Sequence, residues 1–299
     1  MVRRPLPGKC PMHTRAKLSC AEFLGLVPSR TADSTEVENA HWQLALSQRM
    51  SGGRGSLFGG VGLAAGIVAL ELATGKPVIW ATGQYLSLTQ IGEQLDLEVI
   101  LPARGRNVVQ GRVVGRVSDH AASESGREVI TIIGAAGARP SSGDGCWQTA
   151  PSVPPPEQCP IVPERHGNGS VHEHIELRLA AGMFGFSGFG TPSADGRSAL
   201  WVRMPEVEHD AGALAIIADY MPSVLGNAMG HIMHCTSLDN TIRFAGPTAS
   251  EWVLCDNRME FAGNGFGHGS AHLWNERGEL LATASQSMIV RAPEPAATG

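Results

Sequence analysis

Two stretches of the chain are apolar on nearly every face of a helix. The first, 57–74, ends at a Gly-Lys-Pro sequence, and glycine followed by proline is a frequent helix stop. The second, 211–225, is equally apolar except for Asp219 and ends at Gly226. A helix without a polar face must be covered on all sides, and a strongly curved sheet can do this in a small domain. We therefore predict two buried helices, one in each half of the chain.

Each predicted helix is followed by four segments in which apolar residues alternate or β-branched residues cluster, and this pattern predicts strands. The predicted strands are 78–88, 95–101, 108–117 and 129–133 in the first half, and 234–244, 251–257, 265–274 and 280–290 in the second. Residues typical of turns separate them. The same order of elements therefore occurs twice, as expected for an internal repeat.

A buried helix followed by antiparallel strands, present twice, resembles the tandem (double) hot dog fold. This resemblance implies fold class α+β, with two antiparallel sheets that each wrap around a buried central helix. We expect the two halves to superpose and their strands to continue as one antiparallel sheet. The predicted organisation is an N-terminal segment 1–30, a first hot dog domain 31–140, a Pro/Gly/Ser-rich linker 141–170, and a second hot dog domain 171–299 that carries the catalytic residues.

Composition and charge agree with two globular domains and exclude several partners. The chain has 299 residues, of which 42% are hydrophobic and 17% charged, as in folded domains rather than disordered segments. Its formal net charge of −5 offers no positive field for a polyanion, so nucleic acid is not an expected partner. The longest charge-free apolar run, 55–70, is shorter than the roughly 20 residues that span a bilayer, so no membrane span is expected.

The number and spacing of the cysteines indicate the cellular compartment of the protein. The chain has six cysteines but no Cys-x-x-Cys pair, and their spacing is irregular. This is typical neither of a disulfide framework nor of a zinc knuckle. A reducing, cytoplasmic location is therefore expected.

Common enzyme motifs are mostly absent. Gly60, Gly62 and Gly66 approach a dinucleotide-binding spacing, but no strand precedes them and no parallel βα units follow. Small residues that let other elements approach the helix are the better interpretation. The Gly-x-Ser-x-Gly sequence of nucleophile-elbow hydrolases does not occur, so a hydrolysis here would use direct attack of water.

Three pairs of histidines have spacings that are loose for a metal site: His172 and His174, His231 and His234, and His268 and His272. The first pair follows the linker among glutamates, and we predict that it points to solvent. No metal and no other cofactor is expected.

Asp219 is the single charged residue of the second apolar helix. Its neighbours include Ile216 and Ile217. A carboxylate buried at this position needs a compensating hydrogen-bond or charge partner, or has a functional role. Two alternatives remain open. Asp219 lies on the one exposed stripe of the helix, or it is a general base at a domain interface, where desolvation would raise its pKa.

Three segments of the second half resemble the catalytic segments of the type II acyl-CoA thioesterases, a double hot dog family. They are Ala-Asp-Tyr-Met-Pro at 218–222, Thr-Ser-Leu-Asp-Asn-Thr-Ile-Arg-Phe at 236–244, and Ala-Ser-Gln-Ser-Met-Ile-Val-Arg at 284–291. In the first half, Leu-Phe-Gly-Gly at 57–60 is similar to the helix-start motif of that family. The resemblance extends over about residues 30–293.

The resemblance places the family's catalytic residues on Asp219, Ser237 and Gln286. The family usually has threonine at the position of Ser237, a difference that keeps the hydroxyl group. It also has an aromatic-His-Arg-Pro run at 242–245 and a glutamine at Val61, and these departures bear on the substrate range.

These residues can hydrolyse a thioester without a covalent intermediate. Asp219 would deprotonate a water molecule, and Ser237 and Gln286, which can both donate and accept hydrogen bonds, would orient it. Gly59 and Gly60 would bind the substrate, because glycines at a helix start let backbone N–H groups approach the developing oxyanion.

The expected function is hydrolysis of fatty acyl-CoA to the free acid and coenzyme A, by a homo-oligomer (dimer or higher) with one active site per chain. The first half has no acid equivalent to Asp219. One alternative is a non-hydrolytic hot dog protein that binds acyl-CoA or a lipid. Another is a hot dog dehydratase or hydratase, which needs a histidine and an acid across the pocket, and His231 and His234 are its candidates.

Overall fold

The computed structural model describes residues 16–29, 39–52, 55–118, 126–141, 143–163, 169–246 and 250–291. Most of the predicted N-terminal segment 1–30 lies outside the described residues, as do parts of the predicted linker. The helices of the described chain are α1 (Cys20–Leu24), α2 (Gly59–Thr74), α3 (Ala211–Ala218) and α4 (Val224–Met229).

Helix α2 confirms the first predicted helix. It begins two residues later than predicted and ends at Gly75, whose φ of 63° is the left-handed conformation that glycine adopts at low cost. Eleven consecutive residues of this helix, from Gly60 to Leu70, are buried. The apolar pattern and the helix stop therefore both located this element.

The second predicted helix, 211–225, is wrong in its length. Helix α3 stops at Ala218, a 3₁₀ turn follows at Met221–Ser223, and α4 continues the chain to Gly230. Pro222 accounts for the break, because proline has no N–H to donate and its ring excludes a regular helical turn before it. Asp219 consequently lies at the C-terminal cap of α3 rather than inside a helix.

The strands in chain order are β1 (Val27–Pro28), β2 (Asn39–Ala45), β3 (Val78–Tyr85), β4 (Gln94–Arg104), β5 (Val108–Val117), β6 (Arg127–Gly137), β7 (Glu176–Ala181), β8 (Met183–Phe184), β9 (Phe189–Gly190), β10 (Arg197–Arg203), β11 (His234–Ser237), β12 (Asp239–Phe244), β13 (Val253–Gly263), β14 (Phe266–Trp274) and β15 (Leu280–Arg291). All eight predicted strands exist, although the predicted 234–244 strand is divided at Leu238. The strands β1, β2, β7, β8, β9 and β10 were not predicted.

The described strands form one 13-stranded antiparallel sheet rather than the two separate sheets of the fold prediction; β8 and β9 form a small hairpin apart from it. Its order is β1-β2-β4-β5-β6-β3-β12-β15-β14-β13-β10-β7, and β11 also pairs with β15. The expectation of a continuous antiparallel sheet across both halves is confirmed. The order from β2 to β3 is mirrored from β12 to β10, which agrees with an internal repeat.

The two halves join where β3 pairs with β12. Ala81 lies opposite Ile242, and the hydroxyl groups of Thr82 and Thr241 are hydrogen-bonded at 2.9 Å. The two strands would otherwise be sheet edges with unpaired backbone groups, so their pairing satisfies both. This is why one sheet forms instead of two.

The central helices are covered partly by each other. A Cβ atom at Gly60 of α2 would lie 2.9 Å from the Cα atom of Ile216 in α3, which shows how closely the two backbones approach. Ile132 of β6 and Leu70 of α2 are both fully buried at the sheet side of α2. Each helix therefore has the sheet on one side and the other helix on the other, which explains their lack of a polar face.

Part of the predicted linker packs on the outer face of the second-half sheet. Trp201 Nε1 donates a hydrogen bond to the carbonyl oxygen of Pro154 at 2.9 Å, and Cys159 is buried beside Trp252. The proposed domain boundaries stay a prediction. Among the described residues no helix is long and apolar enough to cross a membrane.

Candidate active site

The side chains of Asp219, Ser237 and Gln286 meet at one point. Gln286 Nε2 donates hydrogen bonds to Asp219 Oδ1 at 2.9 Å and to Ser237 Oγ at 2.7 Å. One amide nitrogen thus bridges the carboxylate and the hydroxyl group. The structure brings together all three residues that the sequence marked as catalytic, while their roles remain to be tested.

Three different elements supply these residues. Asp219 caps α3, Ser237 ends β11, and Gln286 lies within β15. In the register of the pair β11–β15, Ser237 lies opposite Met288. Gln286 is two residues from Met288 and shares its face of the strand, so its side chain reaches diagonally to Ser237.

Two further donors hold the Asp219 carboxylate. The backbone N–H of Gly60 donates to Oδ2 at 2.7 Å, and Asn240 Nδ2 donates to Oδ1 at 3.2 Å. With Gln286, the carboxylate accepts three hydrogen bonds, one of which comes from the first turn of α2. Amide hydrogens at a helix start are well suited to hold a negative charge.

Asn240 is a site residue that the sequence analysis missed. It is 1% exposed and lies two residues before the buried Ile242 on the same face of β12. An asparagine at a core-facing position of a strand needs a hydrogen-bond partner, and that signal could have identified it. Within the described part of the chain, Oδ1 of Asn240 and Oε1 of Gln286 are buried and have no partner.

Burial sets the acidity of Asp219. The residue is 6% exposed, which excludes the alternative of an exposed helical stripe. Desolvation raises the pKa of Asp219 to about 6, and the hydrogen bonds from Gly60, Gln286 and Asn240 oppose the rise because they favour the charged form. Burial of Asp219 therefore shifts its pKa in the direction that the sequence predicts.

Tyr85 borders the carboxylate from β3. Its ring is half-buried, but its hydroxyl oxygen is inaccessible to solvent. Burial, together with the nearby charge of Asp219, raises the pKa of Tyr85 well above its usual value, so the hydroxyl group keeps its proton. The sequence offered no signal for this contact, because Tyr85 comes from the other half of the chain.

The two glycines that were predicted to bind substrate, Gly59 and Gly60, have different surroundings. The Gly60 amide is bound to Asp219 within the chain, so it positions the carboxylate. A Cβ atom at Gly59 would lie 3.0 Å from Asp219 Oδ2 and 3.2 Å from Tyr85 Oη. Only glycine leaves room here for another group to approach the site.

A cavity of about 750 Å³ adjoins these residues. Phe58, His172, Phe184, Tyr220 and Cys235 are among the residues that line it. The prediction that His172 points to solvent is wrong: it is half-buried, and its Nδ1 is hydrogen-bonded to Tyr220 Oη at 2.5 Å. The volume is within the range of small-molecule sites in proteins.

The other histidines show no common site. In the described part of the chain, no group of three or more His, Cys, Asp or Glu side chains is placed to hold a metal ion. His268 Nδ1 is hydrogen-bonded to Ser287 Oγ at 3.1 Å. His231 and His234, the candidates for a dehydratase, are both exposed, and neither is among the hydrogen-bond partners of Asp219.

Comparison with known proteins identifies a family and a fold. A family model described as the acyl-CoA thioesterase C-terminal domain matches residues 156–290. The chain is 31% identical to a candidate thioesterase from Novosphingobium aromaticivorans of known structure, with 87% of this chain and 98% of that chain covered and a TM-score of 0.72. No curated protein matches the sequence.

Two more distant structures share the fold. A hot dog protein from Alicyclobacillus acidocaldarius is 18% identical, over 87% of this chain and 96% of that chain, with a TM-score of 0.72. An acyl-CoA thioesterase II from Mycobacterium marinum is 20% identical, over 92% of this chain and 99% of that chain, with a TM-score of 0.66. The hot dog fold expected from the sequence is therefore shared with proteins of known structure.

Proposed function

Because the chain belongs to the type II acyl-CoA thioesterase family, we propose that it hydrolyses the thioester of fatty acyl-CoA to the free acid and coenzyme A. The observation that carries this proposal is the convergence of Asp219, Ser237 and Gln286 through the Gln286 amide. A carboxylate, a hydroxyl group and an amide around one point are suited to bind and deprotonate a water molecule.

In the proposed reaction Asp219 is the general base. It accepts a proton from water as the water oxygen attacks the thioester carbonyl carbon. The resulting tetrahedral intermediate then collapses, and its C–S bond breaks to release the thiolate of coenzyme A, which takes up a proton. A pKa of about 6 suits this role, since Asp219 is mostly ionised at neutral pH and still a better proton acceptor than an exposed aspartate.

Ser237 and Gln286 orient the water molecule and the carboxylate. Gln286 holds both groups through one nitrogen, which fixes the distance between the base and the hydroxyl group. Such preorganisation lowers the cost of reaching the reactive geometry. The protonated hydroxyl group of Tyr85 and the amide of Gly59 are the donors we assign to the developing oxyanion.

The proposal includes one active site per chain. Gly60 and Tyr85 come from the first half, and the three proposed catalytic residues come from the second, so neither half contains the whole site. The predicted homo-oligomer and the cytoplasmic location remain expectations for this enzyme. A single site predicts that complete loss of Asp219 function abolishes turnover rather than halving it.

The decisive experiment measures release of free thiol from a panel of acyl-CoA substrates of increasing chain length. We expect turnover that depends on Asp219. Binding of acyl-CoA without thiol release would favour the non-hydrolytic alternative and contradict the proposal. Hydration of an enoyl-CoA with no thiol release would favour a hydratase instead.

A further inference from the structure

Aromatic side chains are concentrated around the cavity next to the proposed catalytic residues. The chain contains eight phenylalanines, six tryptophans and two tyrosines. Phe58, Phe184, Phe186 and Tyr220 all line this one cavity, and the His172 ring adds a fifth aromatic surface. Aliphatic side chains such as Leu177 complete the wall. In a chain with only 5% aromatic residues, this distribution points to a ligand that uses rings.

Several residues that line the cavity are close in sequence to the residues of the proposed active site. Phe58 directly precedes Gly59 at the start of α2, and Tyr220 directly follows Asp219. Cys235 is two residues before Ser237 on β11, so the two side chains share one face of the strand. An acyl group that binds among the rings would therefore place its thioester carbonyl carbon next to the proposed catalytic residues.

The rings contact each other through edges and tilted faces. Phe58 and His172 have centroids 5.3 Å apart at an interplanar angle of 76°, and Phe184 and Phe186 have centroids 5.6 Å apart at 86°. Tyr220 is 5.8 Å from Phe58 and 6.3 Å from Phe184, and so links the two pairs. These are favourable aromatic geometries, in which a further ring can take part.

The part of the wall that carries Phe184 and Phe186 is rigidly held. It belongs to the β8–β9 hairpin. Asn227 of α4 is fully buried and accepts hydrogen bonds from the backbone N–H groups of Met183 and Ser193, at 2.8 and 3.0 Å. A Cβ atom at Gly185 would lie 2.6 Å from the Cα atom of Gly226, so the hairpin backbone lies directly on α4.

From these observations we propose that the acyl group of the preferred substrate carries an aromatic ring, which binds among Phe58, Phe184, Phe186 and Tyr220. The inference rests on the proposed thioesterase function, and it makes an aryl-bearing acyl chain, instead of a plain fatty acyl chain, the preferred substrate. A fixed aromatic wall favours a flat, rigid ring, because ring contacts add attraction beyond buried area. A plain alkyl chain gains no such attraction between rings, and it loses more conformational freedom on binding.

The test compares 3-phenylpropanoyl-CoA with nonanoyl-CoA, which have equal numbers of acyl carbons. Thiol release by the full-length protein gives kcat/KM for each substrate. We expect the aryl substrate to be preferred by about five- to tenfold. Equal values, or a preference for nonanoyl-CoA, would overturn the inference and leave the proposed function standing. Absence of turnover with every acyl-CoA would overturn both.

Substitutions of cavity residues test whether the aromatic rings cause the preference for the aryl substrate. Phe186→Leu and Phe58→Leu remove one ring each and should bring the ratio of the two kcat/KM values toward one. Phe261→Leu is the matched control, since Phe261 is half-exposed on β13 away from the cavity, and it should leave the ratio unchanged. A thermal melt of each variant verifies folding. An unchanged ratio in folded Phe186→Leu and Phe58→Leu would show that the rings do not select the substrate.

Discussion

The carboxylate of Asp219 accepts the backbone N–H of Gly60 at 2.7 Å, so the end of α3 caps the start of α2. The contact joins the two halves of the chain at the proposed catalytic centre. It also places a buried negative charge at a helix N-terminus, where the helix dipole stabilises it. The same carboxylate therefore contributes to the packing of the two halves and is the proposed general base of the site.

Asp219→Asn should remove the proton acceptor and keep the shape of the side chain. We expect kcat to fall by about 10²–10⁴-fold with little change in KM, as is usual when a general base is lost. Steady-state thiol-release kinetics provide the measurement. Near-wild-type turnover would contradict the role of Asp219 as the base.

The same substitution should change the pH dependence of stability. Because the folded-state pKa of Asp219, about 6, is above its unfolded value of about 3.9, the folded protein holds the proton more tightly, and stability falls as pH rises between these values. Asp219→Asn abolishes this loss, so its stability relative to the wild type should rise by about 1–3 kcal/mol between pH 4.5 and pH 7.5. Urea unfolding at pH 4.5 and pH 7.5 measures the difference, which should grow with pH.

Activity should follow the ionisation of Asp219. We expect kcat/KM to decrease tenfold per pH unit below about 6 and to be constant at higher pH, because the ionised carboxylate is the active form. Asn240→Ala removes a donor that favours the charged form, so its acid limb should move to higher pH. If the acid limb of the kcat/KM profile is not shifted in folded Asn240→Ala, then Asn240 neither positions Asp219 nor lowers its pKa.

Ser237→Ala and Gln286→Ala should each lower kcat less than Asp219→Asn does. Combining either with Asp219→Asn should add little further loss, because the three residues are in contact and are proposed to act on one water molecule. Ser285→Ala is a suitable control, as Ser285 lies beside Gln286 on the opposite face of β15. Full additivity in the double variants would indicate independent roles.

Gly60→Ala should disturb both packing and catalysis. The new Cβ atom would lie 2.8 Å from the Cβ atom of Asp219 and 2.9 Å from the backbone of Ile216, so α2 and α3 must separate. We expect a stability loss of about 1–3 kcal/mol and reduced kcat. Gly62→Ala, on the same helix, meets only the ends of the Ile130 and Leu57 side chains, at 3.1 and 3.4 Å, and should be milder. Urea unfolding and thiol release compare the two, and equal effects would contradict the close-contact explanation.

The sequence predicted the elements that depend on local pattern. Helix α2 and the strand β5 were located closely, because apolar runs, alternation and glycine stops are properties of neighbouring residues. The family resemblance identified Asp219, Ser237 and Gln286, although they are far apart in the chain. The apolar pattern predicts a second helix that is too long, because Pro222 interrupts a stretch that is otherwise apolar.

The tertiary structure decided the contacts between the halves. The pairing of β3 with β12, the donation from Gly60 to Asp219 and the approach of Tyr85 join residues whose local sequences carry no sign of one another. The pKa of Asp219 likewise depends on burial and on three donors from different elements. A local pattern can show that a side chain must be buried, but only the folded chain determines which groups surround it and therefore how it reacts.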